Sequence, residues 1–178
     1  MAGQVVDTAS FAQGFKFTLD DGSGRVTLLM WHNVYDDCWD APQLNIGATV
    51  QADGEVGEFE GELQVEPNYG GDVKVTAAGG PFAPEREISS IGAYLGQRVA
   101  ISGEILRVEG VSGAVKIFVA DETGETLVFI WNNVLDRIAN NQALGTPGTR
   151  VHVVGLVEEY RGNLEVLVVL PYDVGIGD

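Results

Sequence analysis

Residues 14–36 read GFKFTLDDGSGRVTLLMWHNVYD, and residues 114–136 read AVKIFVADETGETLVFIWNNVLD. The stretches align at an offset of 100 without a gap, Lys16 with Lys116, Asp21 with Asp121, Gly24 with Gly124 and Trp31 with Trp131. Upstream, Gly3-Gln-Val-Val meets Gly103-Glu-Ile-Leu at the same offset. Downstream, after one inserted residue, GATVQADGEVGEFEGELQV (47–65) meets GTRVHVVGLVEEYRGNLEV (148–166). Gly54 then matches Gly155, and Phe59 matches Tyr160. Matches in this order mean a tandem duplication, so both halves share one fold.

Each unit reads as strands. FKFTL and VKIFV alternate with period 2, and RVTLLMW and ETLVFIW are rich in branched and aromatic residues. The Asp-x-x-Gly between them is a hairpin turn, with Gly24 or Gly124 expected to supply a positive φ. A polar, helical connection follows, VYDDCWDAPQL or VLDRIANNQAL. Next come the strands ATVQADGEV and TRVHVVGLV, then the tight turns Glu60-Gly61 and Arg161-Gly162, then a last strand. Ahead of the second unit, Gly103 lies inside a long strand, a place where barrels bend.

Five strands with one helical insertion after the third carry Phe17-x-Leu-x-Asp21-x-x-Gly24-x-Val26 and Ile117-x-Val-x-Asp121-x-x-Gly124-x-Thr126. This pattern resembles the OB-folds of the tRNA-anticodon-binding and replication-protein-A types. The resemblance implies an all-β chain of two tandem five-stranded Greek-key barrels, each with a short helical connection between strands 3 and 4. It also implies nucleic-acid binding. The competing β architecture is a sandwich. The first unit covers 1–78, with a truncated first strand, since nothing in it matches Gly96 to Ser102. Residues 79–95, with Gly79-Gly80-Pro81 and Pro84, read as a linker, with a short helical turn over 87–95. The second unit covers 96–178.

Composition excludes much else. Cys38 is the only cysteine and His32 and His152 the only histidines, so no internal disulfide and no zinc cluster is expected. No paired nucleophile and base, P-loop or HExxH motif appears, so the chain reads as a non-enzyme without cofactor or metal. No apolar run reaches the roughly 18 residues of a membrane span. Residues 1–10 do not resemble a signal peptide, which favours a cytoplasmic setting and leaves an extracellular one open.

Alternation places Phe15, Phe17, Leu19, Val26, Leu28 and Met30 inside the first barrel, and Lys16, Thr18, Arg25, Thr27, Leu29 and Trp31 outside. In the second unit Val115, Ile117, Val119, Thr126, Val128 and Ile130 face in. Lys116, Phe118, Glu125, Leu127, Phe129 and Trp131 face out. That outer face is the usual ligand platform of the OB-fold. Its aromatics suit base stacking, and Lys16 and Lys116 are two of the three lysines in the chain. Phe59, Tyr160 and Arg161 flank the hairpin between strands 4 and 5. The candidate nucleic-acid-binding residues are therefore Lys16, Trp31, Phe59, Lys116, Phe118, Phe129, Trp131, Tyr160 and Arg161. Each aromatic also has a purely structural use, Trp31 and Trp131 as barrel caps and Phe59 and Tyr160 as hairpin buttresses.

Charge opposes this reading. The formal net charge is −16, with 10 basic against 26 acidic residues. Residues 79–178 hold seven of the basic residues, so the second unit is the better candidate. The expected partner is single-stranded DNA or RNA, bound with modest affinity and weak sequence preference. The alternative is an acidic protein-interaction module, binding other chains or its own copies through an open strand edge.

Overall fold

Branched and aromatic side chains repeating with period 2 can bury one face only as strands, and the chain does so twice. The computed structural model describes residues 1–80 and 82–177. It divides into two units, Met1–Phe82 and Ala83–Asp178. Strands hold 52% of the residues and helices 17%, so neither unit is helical in character. Among the described residues, no helix is long and apolar enough to cross a membrane.

The first unit contains β1 (Ala2–Phe11), β2 (Gly14–Asp20), β3 (Arg25–Trp31), α1 (His32–Asp36), β4 (Thr49–Ala52), β5 (Glu55–Phe59), β6 (Glu62–Glu66) and β7 (Val73–Ala77). Its sheet runs β5-β6-β3-β2-β1-β4-β7. The second contains β8 (Arg98–Val111), β9 (Ala114–Ala120), β10 (Glu125–Trp131), α2 (Asn132–Leu135), β11 (Arg150–Tyr160), β12 (Asn163–Leu167) and β13 (Val174–Gly177). Its sheet runs β12-β10-β9-β8-β11-β13, and β12 also pairs with β11, which closes the sheet on itself. β3 with β6 and β10 with β12 pair in parallel, whereas the other named pairings are antiparallel.

The sheets hold seven and six strands, not five each. One added strand is the segment after strand 5, which returns as β7 or β13 against strand 4. The other arises because strand 4 of the first unit breaks at Asp53-Gly54 into β4 and β5. In the second unit Arg98–Ile101 of β8 pairs with Val153–Leu156 and keeps β11 continuous. β1 is four residues shorter than β8 and offers no such partner, so the Asp53 amide instead donates to the Asp72 carbonyl.

Burial follows the alternation. Phe15, Phe17, Leu19, Leu28 and Met30 are fully buried in the first core, and Ile117, Val119, Val128 and Ile130 lie in the second. Val26 and Val115 are only half-buried. Thr27 and Leu29, expected outside, are also buried. β3 is a central strand, and the long side chains opposite them, Gln64 on β6 and Lys16 on β2, shield its outer side.

Two local expectations change. Neither Gly24 nor Gly124 has a positive φ; in the first unit that conformation falls on Gly22. The aspartate closes both turns instead. Asp121 Oδ1 accepts from the Thr123 amide (2.7 Å), the Thr123 hydroxyl (2.6 Å) and the Gly124 amide (3.0 Å). Asp21 repeats this with Ser23 and Gly24. Second, much of the segment read as a linker belongs to the second unit. Glu85 bridges Ala100, and Ile88 and Ile91 are buried within the 3-10 turn Ile88–Tyr94. That turn is pinned by the Ile88 amide donating to Asp121 Oδ2 at 2.9 Å.

Gly103 sits where β8 is squeezed. A Cβ there would lie 2.4 Å from the Ala120 carbonyl oxygen and 2.7 Å from Val119 Cγ1. The residue has to be glycine for β9 to approach this closely.

Candidate nucleic-acid interface

In the second unit, the outward side chains of β9 and β10 form one wall of an open groove of about 840 Å³. Lys116, Phe118, Glu125 and Leu127 line it from the sheet. The β11–β12 hairpin supplies Tyr160, Arg161 and Glu165, and the Ile88–Tyr94 turn closes the remaining side through Ile88, Ser89 and Gly92. Arg161 (φ 51°) and Gly162 (φ 81°) are successive left-handed residues, as a two-residue hairpin turn requires. This places Tyr160 and Arg161 at the tip, with the Arg161 guanidinium 5.1 Å from the Tyr160 ring centroid and Tyr160 55% exposed.

Phe118 does not stand bare. The Arg107 guanidinium stacks 3.4 Å from its ring centroid. Arg107 Nη1 also meets Glu125 Oε1 at 2.7 Å, and its Nε lies 3.6 Å from Glu109. A β-bulge between Ile105 and Arg107 sets Arg107 opposite Phe118. Nothing in the sequence announced the bulge, so Arg107 was missed as a member of the platform.

Phe129 and Trp131 lie on the same face of β10 and meet edge to face, centroids 4.9 Å apart. Phe129 sits opposite Lys116 in the ladder. Neither Phe129 nor Trp131 is among the groove-lining residues, so they extend the platform away from the hairpin.

The first unit assembles its candidates differently. The Lys16 ammonium lies 5.8 Å from the Phe11 ring centroid and 5.9 Å from that of Phe59. Phe11 in turn meets Trp31 edge to face at 5.5 Å. Trp31 Nε1 donates to Glu66 Oε2 at 3.1 Å. Phe11 thus joins Lys16 to Trp31, and Lys16 in turn reaches Phe59. Sequence reading overlooked Phe11 because the repeat places Val111 at that position. The hairpin tip carries Glu60 where the second unit carries Arg161, which makes this platform the more acidic one.

Charge within the second groove is mixed. Glu165 is 8% exposed and opens onto the groove floor. Burial raises its pKa above the ordinary carboxylate value, Glu158 beside it adds to the rise, and Lys116 opposes it. For Asp121, burial alone would raise the pKa. The hydrogen bonds from Ile88, Thr123 and Gly124 outweigh burial and hold it below the usual value.

The strand order gives both units an OB-type layout, and the outer face of the second is aromatic and cation-bearing. No family model matches it. A curated relative is the CST complex subunit STN1 of Arabidopsis thaliana, 31% identical over 86 residues, covering 38% of this chain and 54% of STN1. The chain spans about half the length of that relative. Among solved structures, the Stn1–Ten1 complex of S. pombe matches at 18% identity, TM-score 0.40, covering 45% of this chain and 57% of that one. A replication protein A domain of Methanococcus maripaludis matches at 22% identity, TM-score 0.40, covering 52% and 94%. The OB-type layout rests on the strand pairings of this chain.

Proposed function

We propose that the chain is a binding module for single-stranded nucleic acid, built from two OB-type barrels, with the second unit's groove as its main site. The observation that supports this most is the convergence in one groove of Lys116, the Arg107-backed Phe118, Tyr160 and Arg161. A stacked base needs an aromatic face, and its phosphate needs a cation nearby; duplex DNA hides the faces of its bases. The STN1 relative is named as a subunit of a complex, which fits a module working beside other proteins.

The net charge of −16 repels polyanions at long range. Screening confines this effect to about 8–10 Å at ordinary salt, so a few local cations still count. Binding is accordingly modest and only weakly salt-dependent. Two or three phosphate contacts to a single strand imply a slope of log affinity against log salt of roughly −1.4 to −2.1.

The test is fluorescence anisotropy with a labelled mixed-sequence single strand and its duplex, at about 50 mM salt and protein up to about 100 μM. The single strand should bind more tightly. Tyr160→Ala should weaken binding by about 1–3 kcal/mol, the worth of one stacked base. No binding of either nucleic acid would overturn the proposal in favour of a protein-interaction module.

A further inference from the structure

Glu165 and Gln64 occupy the same repeat position, at the middle of the fifth barrel strand. Both are polar and both are more than nine-tenths buried, at 8% and 6% exposure. Glu165 lies in the ladder between Leu127 on β10 and Glu158 on β11, and Gln64 lies beside Thr27 on β3. Among the described residues, neither side chain makes a hydrogen bond or an ion pair. Neither is among the fully enclosed side-chain atoms that lack a partner, so the polar tips of both reach water. Stripping that water from a carboxylate without a new donor is costly.

Glu165 faces a groove lined by Lys116, Phe118 and Tyr160, so what enters the groove displaces that water and must supply donors in its place. Resting on the nucleic-acid reading of that groove, we infer that Glu165 is a base-reading residue that favours bases with an exocyclic amino group over thymine and uracil. An ionised carboxylate only accepts hydrogen bonds. Cytosine N4, adenine N6 and the guanine N2 edge offer donors to it. Thymine and uracil present N3–H between two carbonyl oxygens, which repel the second carboxylate oxygen. A glutamine offers both a donor and an acceptor and pairs with either kind of edge.

The test compares fluorescent oligo-dC and oligo-dT of equal length on the full chain, at mildly alkaline pH, which favours the carboxylate form of Glu165. The two pyrimidines match in ring size. Oligo-dC should bind about tenfold more tightly, as one well-placed base contact discriminates. Glu165→Gln should bring the two within about twofold of each other, by raising affinity for oligo-dT. A second arm leaves the protein unchanged and replaces cytosine by 2-pyrimidinone, which lacks only the amino group; the preference over oligo-dT should vanish. Equal affinity of the unsubstituted protein for oligo-dC and oligo-dT overturns the inference and leaves the groove's function intact. A preference that survives Glu165→Gln, or survives loss of the amino group, also overturns it. Failure of every single strand to bind removes the nucleic-acid reading itself.

Discussion

Two glycines on one strand should answer oppositely to alanine. On β8, a Cβ at Gly103 would meet the Ala120 carbonyl oxygen at 2.4 Å and the Ala120 carbonyl carbon at 2.9 Å. Both are backbone atoms, and ordinary van der Waals contact begins at 3.4 Å, so β8 or β9 must move by the better part of an ångström. Gly103 also pairs with Val151 on β11, so a shift disturbs ladders on both sides. Overpacking of this kind costs about 1–3 kcal/mol, and contacts with backbone and with the stiff, branched Val119 side chain favour the upper end. Gly110, seven positions along, is exposed, and a Cβ there would meet nothing within 4 Å. Its φ is not left-handed, so Gly110→Ala should be neutral or stabilising by up to about 1 kcal/mol through the unfolded chain. Hydrogen exchange in increasing urea, followed by mass spectrometry on peptides from β8 and β9, reads the second unit without interference from the first. Equal destabilisation by the two substitutions would refute the close approach of β9 to Gly103, and with it the bend placed there.

Asp121→Ala should destabilise the second unit by about 2 kcal/mol and loosen the Ile88–Tyr94 turn, since partly exposed charge-assisted bonds are worth less than buried ones. The Asp121 pKa is lowered on folding, so its contribution is present above the ordinary carboxylate range and fades as pH falls through the folded value; the variant should lack that part of the acid limb in a pH series of melts. Glu165 runs the other way. Its pKa is raised on folding, so stability is lost as pH climbs from the unfolded value towards the folded one, and Glu165→Gln should surpass the unsubstituted protein at alkaline but not at acid pH. In urea titrations, Phe17→Ala should cost about 3–5 kcal/mol, whereas Lys16→Ala should cost no more than about 1 kcal/mol, the worth of an exposed cation–π contact. Equal losses at the two positions would mean that the faces of β2 are exchanged.

The duplication and the period-2 runs make the core legible in the sequence, because burial in a strand follows alternation and little else. Phe15, Phe17 and Leu19 were placed by that rule alone. What escaped depended on register and on the partner strand. The bulge at Arg107, the break at Asp53-Gly54 and the third aromatic at Phe11 each arise from how two strands meet. The glycine of the Asp-x-x-Gly turn was read as the conformational element, yet the aspartate's hydrogen bonds close the turn. Among the candidate site residues, Lys116, Phe118, Tyr160 and Arg161 converge, and the alternation and the hairpin signature both pointed to them. Glu165 carried no sequence signal of its own, because its burial depends on how β12 lies between β10 and β11.

The most direct measurement is an NMR titration of the isotope-labelled chain with a mixed-sequence single strand, following backbone amides and the Trp131 indole. Shifts should concentrate on Lys116, Phe118, Leu127 and the Tyr160–Gly162 turn, with smaller movements at Phe129 and Trp131. The β11–β13 edge, including His152 and Ile176, should stay still. Shifts confined to that edge, with the groove unperturbed, would contradict the account.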